Sequence, residues 1–530
     1  MQTMSMAFTG ATPPFVCQRN SDANIAQANS SFLDLALNSS HAVAQQCSVV
    51  APSGKNLTCR EEGSDSDFDF TTEEFGNTIV SEWSLVCNWK FYGQVAASAL
   101  FAGILVGSVV FPYATDRWGR RKFILGCCWA MGLLGTLSAF SNSYSAFAAL
   151  RFLIGVTWAG AGLSSWVLTC EVMVPSKRSW GVPGQGVFWS IGYCLVGLYA
   201  FYLRDWRHLT VAVSLSCAVL LSYYWLIPES LHWLCAKKHN LEASKWIQRA
   251  AKWNGRSVNV VDCLEDSTDK RLDESPKNRT AVEIFMSFPM AVQTLVVMYL
   301  WFTNTIFYYG LSLFSTNLAG DRYLNYFLSG AVELPTHVLT PLMLNWLGRR
   351  WTVAGHHTIA GTALFILMLL PRQLSDGTSL EWLITGLYLL GKFSITSSFL
   401  SVWLFGAEVF PTTVRTSGVG MANVSARFGG ILAPFASNLN TLFGPKAVPT
   451  VFSFLSLLAA LLTLILPETN KKNLVDDLAG IDEGPLIRRL TSTKLLEMGE
   501  IKGRKEFPLK EEDEEDSTGE EATDGAVMFK

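Results

Sequence analysis

The fold class this chain predicts is an all-α polytopic membrane protein of two helical bundles, and three observations predict it. Of 530 residues, 49% are apolar and only 16% are charged, too hydrophobic a balance for a soluble protein of several domains. The apolar residues fall in blocks of about 20, the length a helix needs to cross roughly 30 Å of hydrocarbon. Three charged phrases also recur, in the same order, in the two halves of the chain. A net charge of -3 argues against a nucleic-acid partner.

Residues 1–16 are mildly apolar, end in Pro13-Pro14 and are too short to span. They lack the basic start of a signal peptide and read as the outer end of a helix whose beginning is absent. Residues 17–90 form a polar outer loop with an acidic stretch from Glu61 to Glu74. That loop carries Cys17, Cys47, Cys59 and Cys87, four of eleven cysteines, which suit two disulfides with all three pairings open. Asn29, Asn38 and Asn56 each begin a glycosylation sequon there, which favours an extracellular loop.

The first bundle, 91–227, has spans at about 91–114, 122–140, 146–170, 182–203 and 208–227. A cytoplasmic loop, 228–287, follows, in which Asn240 can cap an amphipathic helix ended by Asn254-Gly255. Asn278 also begins a sequon, but on the inner side, where it stays unmodified. The second bundle, 288–466, has spans at about 288–308, 324–346, 352–371, 381–406, 414–437 and 447–466, making eleven complete spans. The tail, 467–530, is polar, holds the acidic run Glu511–Asp516 and is expected to be disordered. Lys and Arg cluster at Arg120, Lys177-Arg178, Lys237-Lys238, Arg349-Arg350 and Arg415. The positive-inside bias puts those segments and the C-terminus in the cytoplasm and residues 17–90 outside.

The repeat is specific. Gly119-Arg120-Arg121 returns as Gly348-Arg349-Arg350, Glu171 with Arg178 returns as Glu408 with Arg415, and Pro228-Glu229-Ser230 returns as Pro467-Glu468-Thr469. Two parallel halves about an axis along the membrane normal, with a binding site between them near the midplane, explain the pattern. Asp116, Arg117, Arg120, Arg121, Glu171, Arg178, Arg349, Arg350, Glu408 and Arg415 all fall on the cytoplasmic face. There they can pair across neighbouring helix ends and latch the halves in one state. The second copy has Asn345 in place of an acid, so its latch is expected to be weaker.

The phrases Ser81-Glu82-Trp83-Ser84-Leu85-Val86-Cys87, Asp116-Arg117-Trp118-Gly119-Arg120-Arg121, Ile227-Pro228-Glu229-Ser230 and Ala407-Glu408-Val409-Phe410-Pro411-Thr412-Thr413-Val414-Arg415 stand beside the sequon-bearing loop. Together they resemble the major facilitator superfamily and, within it, the organic cation, carnitine and anion transporter family (solute carrier family 22), over nearly all of residues 10–470. The family's first helix and short cytoplasmic N-terminus are missing from the sequence. The resemblance implies two six-helix halves and secondary-active transport across the plasma membrane by alternating access. It implies no cofactor, and leaves the coupling ion open between sodium and proton.

A charge at membrane depth is expensive and therefore a functional hypothesis by default. Glu333, Lys392 and Arg427 are three such charges. A Glu333–Lys392 pair that only fixes packing competes evenly with ligand contact for Lys392, whereas Arg427, beside small residues, favours a substrate. The resemblance implies that Arg427 occupies a position basic in the anion and carnitine branches. It also implies that Glu333 matches the acid that cation carriers use, and that His337 stands where strict anion carriers place a lysine. A guanidinium suits a carboxylate through paired hydrogen bonds. Trp301, Thr305 and Tyr308 share one helical face; with Trp166, Trp189, Tyr193 and Phe399 they offer rings for a quaternary ammonium. Tyr308, Tyr309 and Trp166 match family cavity positions, and Trp158 replaces the glutamine of sodium-coupled carnitine carriers.

The stretch from Gly386 to Lys392 mimics a phosphate-binding loop, but Phe393 stands where Ser or Thr holds magnesium. The adjacent pair His356-His357 points to different helix faces and has no metal-ligand spacing. No nucleophile–base constellation exists, so an enzyme is not expected. The leading expectation is a carrier of organic cations or carnitine-like zwitterions; an organic anion exchanger and a non-transporting receptor or regulatory subunit are the alternatives.

Overall fold

The computed structural model describes residues 1–17, 48–50, 56–58, 68–70, 76–173, 178–255, 283–318, 320–371, 373, 377, 379–444, 446–472, 481–482 and 484–489. Residues Met1–Gly10 coil into buried turns that include the short helix α1 (Met6–Thr9). The strands β1 (Phe15–Cys17), β2 (Ser48–Val50), β3 (Asn56–Thr58) and β4 (Phe68–Phe70) pair antiparallel as β1 with β4 and β2 with β3. They mark what we term the loop face. Asn29, Asn38, Cys47 and Cys59 lie outside the described residues, as does the acidic run Glu511–Asp516. Cys87 is disulfide-bonded.

Next to the strands, the Ser81-to-Cys87 phrase acts as a bracket. Helix α2 (Ile79–Glu82) is opened by a capping box between Thr78 and Ser81. Its last residue, Glu82, accepts a 2.6 Å hydrogen bond from Trp206 Nε1 and pairs with Arg207. Arg207 in turn donates to the carbonyls of Ala139 and Ser141. One carboxylate thus ties the loop to two spans.

The first half consists of α3 (Lys90–Trp118), α4 (Arg120–Ala139), α5 (Tyr144–Val172), α6 (Arg178–Tyr202), α7 (Trp206–Leu215) and α8 (Tyr223–Leu226), the last two joined by a 3₁₀ segment. Between the halves lie α9 (Leu231–Ala236), α10 (Asn240–Trp253) and α11 (Glu283–Met286). The second half runs α12 (Phe288–Phe314), α13 (Arg322–Ala331), α14 (Glu333–Leu347), α15 (Arg349–Leu369), α16 (Glu381–Val409), α17 (Arg415–Leu432), α18 (Ala436–Phe443) and α19 (Ala447–Thr463). Six helices in the described residues are long and apolar enough to cross a bilayer. Of the other expected spans, α6 is a continuous helix, three are interrupted, α7 to α8, α13 to α14 and α17 to α18, and α19 is short. Pro335 explains one interruption: it lacks the N–H that would bond back to Ala331, so the rod breaks at Val332 and sets Glu333 at the start of α14. Asn240 is the first residue of α10 rather than its cap; His239 holds the cap position and makes no side-chain capping bond.

Large apolar side chains face outward, Phe188 at 77% and Trp225 at 78% exposure, which is stable against lipid and not against water. Inside, small residues let helices touch. A Cβ on Gly103 would lie 2.0 Å from the carbonyl oxygen of Phe152, and one on Gly155 would lie 2.0 Å from that of Leu100. Close backbone approach of this kind is how membrane helices associate. Gly155→Ala should therefore force α3 and α5 apart and cost about 1–3 kcal/mol by overpacking. A thermal melt of the purified protein checks this; an unchanged midpoint would contradict the crossing.

The expectation that everything after Pro467 is disordered fails near the bundle. Residues 485–489 form a helical turn, Ile487 is buried, and Gln293 Nε2 of α12 donates to the Asp482 carbonyl at 2.7 Å. The Asp482 carboxylate accepts from Lys472 Nζ at 2.7 Å, Arg488 Nη2 at 3.1 Å and the Gly484 N–H at 3.1 Å. Burial pulls that carboxyl up, but the bonds from Lys472 and Gly484 and the two nearby cations outweigh it and hold it below the ordinary value. A depressed carboxyl stabilises the fold above its unfolded value and loses that contribution as pH falls through the folded one. The clasp should hold at neutral pH and open only below about pH 4. Amide exchange of residues 484–489, corrected for intrinsic rate, should rise there and not between pH 5 and 8.

Candidate functional site

On the face opposite the strands, the repeated phrases form two equivalent clamps. Gly119 (φ 94°) and Gly348 (φ 90°) turn the chain between consecutive helices, a backbone region open to glycine. The Glu229 carboxylate accepts from the N–H groups of Arg120 at 2.9 Å and Arg121 at 3.0 Å, capping α4. Glu468 does the same for Arg349 at 2.9 Å and Arg350 at 3.1 Å, capping α15. A Cβ at either glycine would sit 2.6 or 2.7 Å from the clamping carboxylate. Sequence reasoning used Glu229 and Glu468 only as repeat markers; their recurrence in the same order after each Gly-Arg-Arg turn was the signal for the role it missed.

Around each clamp the side chains pair. Arg120 meets Asp116 at 2.9 Å and Glu171 at 3.3 Å, and Arg349 meets Glu408 through Nε at 3.0 Å and Nη2 at 3.1 Å. The second clamp is therefore not the weaker one, because Glu408 supplies a bidentate carboxylate. Nor do Arg120 and Arg349 latch one half to the other, since each pairs within its own half. Arg117 is exposed, Arg121 donates to the Tyr224 carbonyl, Arg350 lies over the Trp351 ring, and Arg415 Nε donates to the Phe410 carbonyl. The Arg178 side chain lies outside the described ones.

What joins the halves lies at the loop face and the middle. Gln2 Nε2 donates to Ser214 Oγ of the first half at 2.9 Å, and Tyr326 OH of the second donates to the Met4 carbonyl at 3.2 Å. Ser98 Oγ donates to the Ile431 carbonyl at 2.6 Å. Deeper, Ser190 of α6 lies 3.2 Å from Glu333 Oε2 and 2.9 Å from His337 Nε2, and Trp189 Nε1 donates to Tyr308 OH at 2.6 Å.

There the structure gathers most of the expected site. Lys392 Nζ lies 2.9 Å from Glu333 Oε1, both side chains 0% exposed. Tyr308 OH donates to the other Glu333 oxygen at 3.0 Å. Lys392 also donates to Ser312 Oγ at 2.6 Å, and its ammonium sits 3.4 Å from the Tyr308 ring centroid and 5.4 Å from that of Tyr193. Phe399 packs on Tyr308 at 5.8 Å. His337 is buried, with Gly186 against its ring. The ion pair with Glu333 that the sequence allowed for Lys392 is formed.

Arg427 stands apart. Its guanidinium lies 5.9 Å from the Trp158 ring, across the interface between halves, and its buried Nε has no hydrogen-bond partner among the described residues. Tyr309 packs edge-on against Phe101 of the first half at 4.6 Å. Trp166 reaches Trp403 at 5.8 Å, and Trp403 stacks tilted on Trp301 at 4.4 Å. Trp301 thus belongs to the packed core of the second half. Ser190 and Ser312 were not anticipated, because serine carries no charge signal, and Trp403 was not singled out from the 18 tryptophans. His356 and His357 are buried; His357 lies 3.3 Å from Asn304 and 3.1 Å from Ser456, and no metal-holding cluster occurs among the described residues.

The profile of the family described as "Sugar (and other) transporter" matches residues 45–476. The chain is 33% identical over 432 residues to "Organic cation transporter protein" of Drosophila melanogaster, covering 80% of this chain and 76% of that one. It is 30% identical to "Organic cation/carnitine transporter 2" of Homo sapiens (88% and 86% covered) and 34% identical to "Solute carrier family 22 member 7" of Sus scrofa (78% and 75% covered). Among solved structures, the partially occluded, inward-open xylose transporter XylE from E. coli superimposes with a TM-score of 0.58 at 16% identity, over 73% of this chain and 90% of that one. That likeness concerns the fold alone.

Proposed function

The chain belongs to the sugar (and other) transporter family of the major facilitator superfamily, in its solute carrier 22 group; it is a multi-pass membrane transporter and not an enzyme, and we propose that its solutes are small organic molecules bearing a carboxylate. The observation that carries this reading is the contrast between two of the buried cations, Lys392 and Arg427; a third, Arg151, donates to Gln2. Lys392 is neutralised by Glu333, whereas Arg427 has a buried nitrogen awaiting an acceptor. A desolvated guanidinium between aromatic surfaces favours a carboxylate strongly. Carnitine-like zwitterions fit, with the ammonium resting on rings such as Trp158, and so do aromatic carboxylates. Simple organic cations fit worst, because the carboxylate buried between the halves, Glu333, already faces Lys392. Transport proceeds by alternating access in the plasma membrane, with the strand-bearing face outside. The separation at the loop face of contacts such as Ser98 to Ile431 is the opening step.

Uptake by the chain in proteoliposomes tests the reading with three solutes: a carnitine-like zwitterion, an aromatic carboxylate and a quaternary ammonium. The first two should accumulate and the third should not. Uptake of the quaternary ammonium alone would reverse the assignment.

A further inference from the structure

We infer that the outward face of α10 is a docking surface for anionic phospholipid, in the bilayer leaflet on the clamp side. The helices α9 and α10 form a hairpin fixed to that end of the first half. Ser230 caps α9 through the Trp233 N–H at 3.2 Å, and Trp233 Nε1 donates to the carbonyl of Asp116, in the last turn of α3, at 3.0 Å. Lys238 turns the chain in the left-handed region (φ 58°), His239 stacks on Trp233 at 5.5 Å, and α10 packs back on α9 with Ala243 fully buried. Upstream, α8 exposes Trp225 and Leu226 as lipid-facing side chains. The segment 227–230 that joins α8 to α9 reaches no farther than about 18 Å, so the hairpin lies at the membrane boundary.

What the hairpin turns outward is charge of one sign between apolar anchors. Residues 231–255 hold five cations, Lys237, Lys238, Lys245, Arg249 and Lys252, against one acid, Glu242, and all five are exposed. Among the described residues none of the five is paired with an acid. Leu241, Lys245, Arg249 and Lys252 fall within about 80° of one another around the helix axis, away from the buried Ala243. Leu241 and Trp253 are 70% and 88% exposed and stand about 18 Å apart along that axis. Like charges one turn apart repel, and the indole and the leucine gain nothing from water. Phosphate-bearing headgroups relieve both, neutralising the cations while the two anchors enter the interface. An acidic protein would answer the charge alone; the boundary position and the paired anchors call for a lipid surface. The inference goes beyond the carrier reading and uses it only to name the leaflet as the cytoplasmic one.

Amide exchange of residues 240–253 reads the docking, with the purified chain in nanodiscs of phosphatidylcholine alone or mixed with phosphatidylserine. Phosphatidylserine should slow that exchange about fivefold or more, and about 1 M salt should abolish the slowing. The combined variant Lys245→Gln, Arg249→Gln and Lys252→Gln should show no slowing while melting in phosphatidylcholine as the wild type does. Should that variant not fold, Lys245→Gln and Lys252→Gln singly should each weaken the lipid's hold about fivefold, read from the phosphatidylserine fraction that gives half the effect. The inference is overturned by exchange indifferent to phosphatidylserine, by slowing that survives the salt, or by slowing retained in full by the glutamine variants. Carboxylate uptake by the wild type is measured alongside: its failure removes the carrier reading and leaves the docking standing, and the converse result removes the docking alone.

Discussion

Arg427→Ala should reduce carboxylate uptake, as kcat/KM, by about thirtyfold to a few thousandfold, the range set by losing 2–5 kcal/mol from a buried charge pair. Among the described residues the other buried cations of the spans are engaged, Lys392 with Glu333 and Arg151 with Gln2. The same substitution should leave the empty protein as stable as before or more so. In the resting structure the Arg427 Nε is buried without an acceptor, a net cost that alanine removes. Loss of uptake at undiminished thermal stability separates ligand contact from a packing role. Arg427→Lys should recover part of the rate, because an ammonium keeps the charge but cannot form the paired bonds of a guanidinium. Undiminished uptake by Arg427→Ala at wild-type surface abundance would remove Arg427 from the site.

The helical architecture was readable because hydrocarbon thickness imposes a length on apolar runs, and the bundle ends fall where the charges do. Arg120 and Arg349 open helices within two or three residues of the expected starts. What could not be read were choices decided by distant partners. Asn345 suggested a weaker second clamp, but Glu408, from the end of another helix, provides the bidentate contact. Lys392 fitted an ion pair and a ligand contact equally well from residue type; that Glu333 of another helix comes within 2.9 Å of it depends on the packing, which residue type does not carry. The segment after Pro467 looked disordered by composition, yet one carboxylate, Asp482, collects enough donors to dock it. Composition reports averages, and a single satisfied acid is invisible to it.

Glu333→Gln should be the most destabilising substitution in the interior, costing about 3–5 kcal/mol, because it strands an ammonium that is wholly buried. The cost comes from the charge left behind rather than from the attraction lost, and this yields a sharper expectation. Replacing both partners, as Glu333→Gln with Lys392→Met, should cost much less than Glu333→Gln alone, since two neutral groups of similar volume need no counter-charge. The glutamine still accepts from Tyr308 and Ser190, so those bonds survive in both variants and cancel in the comparison. Thermal or denaturant unfolding of the wild type, the two single variants and the double one gives the coupling between the residues. A strongly negative interaction, with the double variant more stable than Glu333→Gln, is the expected outcome. Additive costs would mean that the two charges do not sense each other in the resting carrier, and the contrast that assigns the solute's carboxylate to Arg427 would then disappear.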